Sequence, residues 1–147
     1  MPYSVETTVS SSAPPEVVFE HIAVAEAWAK WARFPQARQE RAGDDSPRGL
    51  GSIRRIWPAR EQTVAYDPSR HYAYILLAGG PIKDYRSDVR LEPADTGTTI
   101  HWGATFQPRI PGTGAVLKPV VAGMIRYLAR GLAAHTGRCP ASCPAHK

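Results

Sequence analysis

Asp84-Tyr-Arg-Ser-Asp-Val-Arg-Leu-Glu92 is the stretch that decides the fold. Tyr85, Ser87, Val89 and Leu91 fall on one side of a pleated strand, and Asp84, Arg86, Asp88 and Arg90 fall on the other. Such alternation marks an antiparallel strand with one dry face and one wet face. An Asp95-Thr-Gly97 turn leads into a second run, Thr98 to Gln107, whose apolar set is Ile100, Trp102, Ala104 and Phe106. His101 and Thr105 stand opposite, so His101 is read as an outer-face residue rather than a ligand or base.

A sheet with one dry face needs an apolar cover, and the segment Leu117 to His135 supplies it. Leu117, Val121, Met124, Leu128 and Leu132 recur at helical spacing. Gly123 and Gly131 would let that helix approach the strands closely or leave room beside it. Upstream of Asp84 the pattern repeats: strands Ser52 to Trp57, Arg60 to Tyr66 and Arg70 to Leu77 are separated by turns at Pro58-Ala59 and Asp67-Pro68-Ser69 and a break at Gly79-Gly-Pro81. Five hairpin-linked strands therefore precede one long helix.

The N-terminal third is organised differently. Tyr3 to Val9 alternates as a first strand, and Ser11-Ser-Ala-Pro-Pro-Glu16 is a helix start, with hydroxyls to cap amides, proline to set φ and an acid at the positive end. The spacing predicts a helix over Pro15 to Ala23 burying Val18, Phe19 and Ile22, and a second short helix over Ala25 to Trp31 with Trp28 and Trp31 on one face. Pro35 ends it, and residues 36 to 48 read as an irregular or weak strand region.

At 147 residues the chain has room for one domain, which at this size buries ~68–70% of the surface of its unfolded chain. No stretch approaches the roughly 20 apolar residues of a membrane span, so a soluble cytoplasmic protein is expected. All 13 Asp and Glu lie before residue 96, so the excess positive charge resides in the C-terminal third. Lys118, Arg126 and Arg130 are read as one flank of the long helix, which is either a solvated face or an attraction for an anionic membrane surface, an acidic partner or nucleic acid. Nucleic acid is the least favoured of these, because no helix-turn-helix, RNA-binding signature or zinc spacing accompanies the charge. The five histidines show no zinc-ligand spacing, and the Cys139/Cys143 pair with His146 is only a weak soft-metal signal in a proline-rich tail. No metal or nucleotide cofactor is implied, and a monomer or a homodimer is compatible with the sequence.

Several residues together carry a resemblance: Ala13-Pro-Pro-Glu-Val-Val-Phe19, the tryptophan-bearing second helix, Gly51-Ser-Ile-Arg54, Glu61, Asp67-Pro68, Tyr74, Gly97-Thr-Thr-Ile-His-Trp102 and the C-terminal helix. In these the chain resembles the START-like, or SRPBCC, superfamily of polyketide cyclases/dehydrases and lipid-transfer proteins. The resemblance implies an α+β helix-grip fold over residues 1–136, with residues 137–147 a disordered tail. It implies a seven-stranded antiparallel sheet curled around the long helix, two short helices closing one end, and a hydrophobic tunnel between sheet and helix. The superfamily includes cyclases, carriers and receptors, so membership does not choose among them.

Face assignment and the family's geometry give Trp28, Trp31, Tyr74, Tyr85, Ser87, Trp102, Phe106, Met124 and Tyr127 as the candidate walls for a hydrophobic or aromatic ligand. Large side chains are also needed simply to fill a core. Arg54, Glu61 and Tyr74, on three successive strands, are the candidates for acid/base chemistry if they meet inside the tunnel. The competing and favoured reading is an Arg54–Glu61 cross-strand ion pair on the outer face of the sheet. The expected function is binding of a lipid or polyketide-like small molecule, as carrier or sensor. The alternatives are a cyclase/dehydrase-type enzyme using the same cavity and an interaction module using the basic helix flank. The Gly79–Pro81 and Pro108–Gly114 loops are expected to gate the tunnel.

Overall fold

A computed structural model describes residues 3–56, 59–78 and 82–137. Strand β1 (Tyr3–Ser11) is followed by helix α1 (Pro15–Ala23), a 3-10 turn (Ala25–Ala27) and a single α-helical turn, α2 (Trp28–Trp31). Six strands come next: β2 (Ala37–Arg41), β3 (Ile53–Ile56), β4 (Ala59–Asp67), β5 (His71–Ala78), β6 (Ile82–Ala94) and β7 (Gly97–Pro108). Helix α3 (Gly114–Thr136) closes the described chain. The strands form one antiparallel sheet in the order β1-β7-β6-β5-β4-β3-β2. The two short helices thus carry the chain from one edge strand to the other, and the meander then returns to β1. This is the expected helix-grip fold. The cysteine-bearing tail and the Gly79–Pro81 break lie outside the described residues.

The dry faces read from alternation are the ones observed: Tyr85, Ser87, Val89 and Leu91 are buried, as are Ile100, Trp102, Ala104 and Phe106. His101 lies on the other face, half-buried beside Thr8 and Glu92. The region read as weak strand contains β2, an edge strand paired with β3 through an irregular register near Gln39. Helix α3 begins at Gly114, three residues before the expected start, and carries Pro119 within its first turns.

The helix buries Val121, Leu128 and Leu132 of the stripe read from the sequence and packs Leu117 partly against the core, but Met124 falls outside it. Val121, Ile125, Leu128, Ala129 and Leu132 face the sheet, whereas Met124 is 41% exposed and Val120 62%. Spacing by three and by four from Val121 reaches Met124 and Ile125 alike, and packing against β1 and β7 selects the second. The consequence is a helix buried continuously along its C-terminal half, while in the N-terminal half Gly114 packs on Tyr3 and Val116, Val120 and Met124 are exposed.

Trp28 sits at the centre of the interior. Its ring lies 4.7 Å from Trp31, 6.0 Å from Tyr74 and 6.0 Å from Trp102, and its indole N–H donates to the Ile22 carbonyl at 2.9 Å. A single helical turn would not be stable by itself. Here it is held by the rings it inserts, and it closes one end of the sheet's concave side.

Candidate functional site

Where α3 stands off the sheet, an apolar cavity of about 240 Å³ remains. Trp28 and Phe34 wall it at one end, Ile56, Leu76, Ile82 and Tyr85 rise from the strands, and Leu117, Val121 and Leu128 descend from α3. Val120 and Met124 also line it while reaching solvent, so they form its rim. Two polar side chains open into it besides the Tyr85 phenol: Glu61 and Tyr74.

The Arg54–Glu61 pair is inside. The two residues face each other in the β3/β4 register, and Arg54 Nε donates to Glu61 Oε1 at 3.2 Å with both side chains buried. The expectation of an outer-face pair is therefore corrected. Its cause is a bulge in β4: the β4/β5 register shifts between Thr63 and Ala65, so Glu61 and Thr63 point inward before it while Tyr66 packs on Phe19 after it. Strict alternation along Glu61 to Tyr66 cannot anticipate that change of phase.

Arg54 does not itself wall the cavity. Its guanidinium carbon lies 4.6 Å from the Trp28 ring centre, 4.9 Å from Tyr72 and 5.4 Å from Tyr74, and Nη1 donates to the Ile22 carbonyl. Three aromatic faces and one carboxylate hold a cation that could not otherwise be buried. Burial alone would loosen its proton, but its interactions with Tyr72, Glu61 and Tyr74 outweigh that and raise its pKa. Arg54 thus remains charged and positions Glu61. Burial pushes the Glu61 carboxyl above the usual carboxylate range, and the Arg54 contact offsets this only in part.

Both cavity phenols stay protonated. Burial drives Tyr74 well above its ordinary value and Tyr85 to about 12. Tyr85 Oη is buried without a hydrogen-bond partner among the described residues. An unsatisfied buried hydroxyl costs about 1–3 kcal/mol, and the nearest polar neighbours of this phenol are the hydroxyls of Ser87 and Tyr74.

Of the wall residues expected from sequence, Trp28, Tyr74, Tyr85 and Met124 line the cavity and five do not. Ser87 is committed to the core: its hydroxyl accepts from Trp102 Nε1 at 2.7 Å and donates to the Gly103 carbonyl at 3.2 Å. Trp102 is fully buried with it, and Phe106 stacks on Tyr3 at 5.7 Å. Trp31 turns toward α3, its indole donating to the His21 carbonyl at 3.0 Å. Tyr127 is 52% exposed on the outer side of α3, where its phenol donates to the Ala32 carbonyl at 3.0 Å. Sequence reasoning missed Phe34, Ile56, Leu76 and Ile82, which sit at strand ends or in a connection, where aliphatic residues look like ordinary core. Among the described residues no His, Cys, Asp and Glu cluster is arranged to hold a metal ion, and no helix is long and apolar enough to cross a membrane.

A family model described as polyketide cyclase / dehydrase and lipid transport matches residues 2–137. The chain belongs to this family. No curated protein sequence matches it. Among solved structures, a START superfamily protein from Mycobacterium smegmatis is 14% identical, with 93% of this chain and 99% of that one covered at a TM-score of 0.75. A norcoclaurine synthase from Thalictrum flavum, in complex with dopamine and hydroxybenzaldehyde, is 13% identical over 95% of this chain and 89% of that one, with a TM-score of 0.71. A protein from Nitrosospira multiformis is 19% identical, covering 91% and 96% at a TM-score of 0.70. At these identities the likeness is one of fold, so the polyketide cyclase/dehydrase and lipid transport family sets the architecture and the side chains above must argue the chemistry.

Proposed function

We propose that this family member binds a compact, ring-containing hydrophobic molecule bearing at least one oxygen, in the cavity between the sheet and the first half of α3, as a carrier or sensor. The observation that carries the reading is an apolar cavity walled by Trp28, Phe34 and Leu117 in which the unpartnered Tyr85 hydroxyl is buried. Apolar walls supply affinity, and a few fixed polar groups orient the ligand. At about 240 Å³ the space is smaller than the roughly 300–1,000 Å³ of common ligand sites, which favours one or two rings over a long acyl chain. The norcoclaurine synthase complex, with dopamine and hydroxybenzaldehyde, is in keeping with a fold that admits small ring compounds.

Glu61 favours a second reading, a cyclase/dehydrase-type enzyme. A buried carboxyl with a raised pKa, lining the cavity beside Tyr74 and fixed by a permanent cation, has the attributes of a general base. Tyr74 or Tyr85 would then donate to the oxygen on which negative charge develops.

Native mass spectrometry of the purified protein, followed by denaturing extraction, identifies whatever occupies the cavity. Tyr85→Phe should raise Tm by removing an unsatisfied hydroxyl while weakening ligand binding. If affinity for the extracted compound is unchanged in this variant, the orientation proposed here is wrong. Glu61→Gln separates the two readings: an enzyme loses turnover with binding kept, whereas a carrier shows no turnover to lose.

A further inference from the structure

Outside the cavity, the ends of α2 and α3 enclose an open groove of about 690 Å³ that shares no lining residue with it. Lys30 and Arg33 come from one wall, Arg126 and Arg130 from the other. No Asp or Glu lines it. Lys118, expected on the same flank as Arg126 and Arg130, lies elsewhere.

These four cations differ from the six arginines that the fold pairs with carboxylates. Arg41, Arg48, Arg54, Arg60, Arg86 and Arg90 each lie within ion-pair distance of a carboxylate. Among the described residues, Lys30, Arg33, Arg126 and Arg130 have no such partner. Gathering four like charges without a counter-charge is unfavourable in the free protein, and an anion in the groove would relieve it.

The backbone adds an independent observation. Arg33 has φ +60°, in the left-handed region where a non-glycine residue costs about 1–2 kcal/mol. Glycine is the usual residue immediately after a helix in this conformation. Here the preceding carbonyl, that of Ala32, accepts the Tyr127 hydroxyl from across the groove, which ties the end of α2 to α3. A strained arginine held opposite two free arginines is the kind of outlier that accompanies binding sites. Gly123 contributes open space, since a Cβ built there would meet nothing within 4 Å.

The geometry points to this groove as a binding site for a phosphate-bearing ligand. Guanidinium groups match phosphate oxygens two at a time, and four cations suit a group carrying two or more negative charges. The exposed Tyr127 ring beside Arg126 and Arg130 offers a face for whatever the phosphate is attached to. A soluble phosphorylated molecule and a phospholipid headgroup present the same chemistry, and the test below separates them.

Calorimetry with inorganic pyrophosphate, and sedimentation with phosphatidylcholine vesicles with and without phosphatidic acid, would be performed at low salt on the full chain. Saturable pyrophosphate binding supports the site with a soluble source. Binding only to the vesicles containing phosphatidic acid supports it with a lipid source. In either case Arg126→Glu with Arg130→Glu should weaken binding about tenfold or more, and added salt should weaken it further. Arg33→Gly keeps the experiment interpretable if the double variant folds poorly, because it relieves backbone strain: Tm should hold or rise while affinity falls. Absence of binding to both probes overturns the proposal, and so does binding that survives all three substitutions. Neither result bears on the cavity, whose occupant is read separately by mass spectrometry.

Discussion

Glu61 and Asp88 sit on opposite faces of one sheet, two strands apart, and their surroundings move them in opposite directions. Glu61 faces inward from β4, where burial outweighs its contact with Arg54 and holds its pKa up. Asp88 faces outward from β6. It too is opposed by burial, but Arg86 and His71 both reach it, His71 Nε2 at 2.7 Å and Arg86 Nε at 3.1 Å, and together they bring its pKa below the ordinary value. Access to water and the number of charged partners decide the sign. The outer cluster serves the sheet, whereas the inner pair is costly to maintain and places Glu61 in the wall of an apolar cavity beside Tyr74. That contrast is why the proposed acid/base reading centres on Glu61 and not on Asp88.

The comparison is broken most severely from the inside. Arg54→Ala leaves Glu61 buried without its cation, removes the guanidinium from between Trp28, Tyr72 and Tyr74, and takes one of two donors from the Ile22 carbonyl. The Ile22 carbonyl keeps its bond from the Trp28 indole, so the buried pair dominates, and a destabilisation of about 3–5 kcal/mol is expected in chemical denaturation, the usual result of removing one partner of such a pair. A loss below about 1 kcal/mol, the range of surface pairs, would mean that the pair is solvated and the inner face wet.

Glu61→Gln is gentler and sharpens the contrast through pH. A carboxyl whose folded pKa lies above its unfolded value contributes stability that is fully present below the unfolded pKa and is lost as pH rises through the folded one. Wild-type protein should therefore lose stability relative to Glu61→Gln as pH rises from the ordinary carboxylate range toward the higher folded value. The same gap widening in the wild type's favour would show that Arg54 dominates and that Glu61 is an ordinary ion-pair carboxylate.

The outer and inner faces were also unequally legible in the sequence. On β6 and β7 the polar and apolar residues alternate without interruption from Tyr85 to Leu91 and from Ile100 to Phe106, and the observed faces follow. Six of the strands and the long helix were readable for the same reason, each carrying its own periodicity and turn signals, whereas β2 read only as an irregular or weak strand and the count of seven came from the family resemblance. On β4 the bulge near Val64 reverses the phase, and a buried Arg–Glu pair looks in sequence like two surface residues. The cavity was legible only as a place. Its aromatic walls at Trp28, Tyr74 and Tyr85 could be inferred, but Trp102 and Ser87 are indistinguishable from them until the indole N–H is seen to be satisfied inside the core. The groove between α2 and α3 depends on two segments about 95 residues apart meeting through the Tyr127–Ala32 hydrogen bond, and no local pattern reports that.

Asp88→Asn is the smallest change and tests the outer half of the comparison. Because Asp88 has a depressed pKa, its contribution is present above the unfolded value and disappears as pH falls through the folded one. The carboxylate is partly solvated, its side chain being 26% exposed, so screening limits its worth to about 0.5–1 kcal/mol near neutral pH. The asparagine variant should be that much weaker at neutral pH, and the difference should vanish as pH falls through the depressed folded value of Asp88. High salt should shrink the difference at neutral pH while leaving the Arg54→Ala deficit nearly intact, since ions reach the outer face and not the aromatic cage. Measured side by side, the two salt responses separate a surface network from a buried one, and an Asp88→Asn deficit as salt-resistant as that of Arg54→Ala would erase the distinction on which the proposed acid/base reading of Glu61 rests.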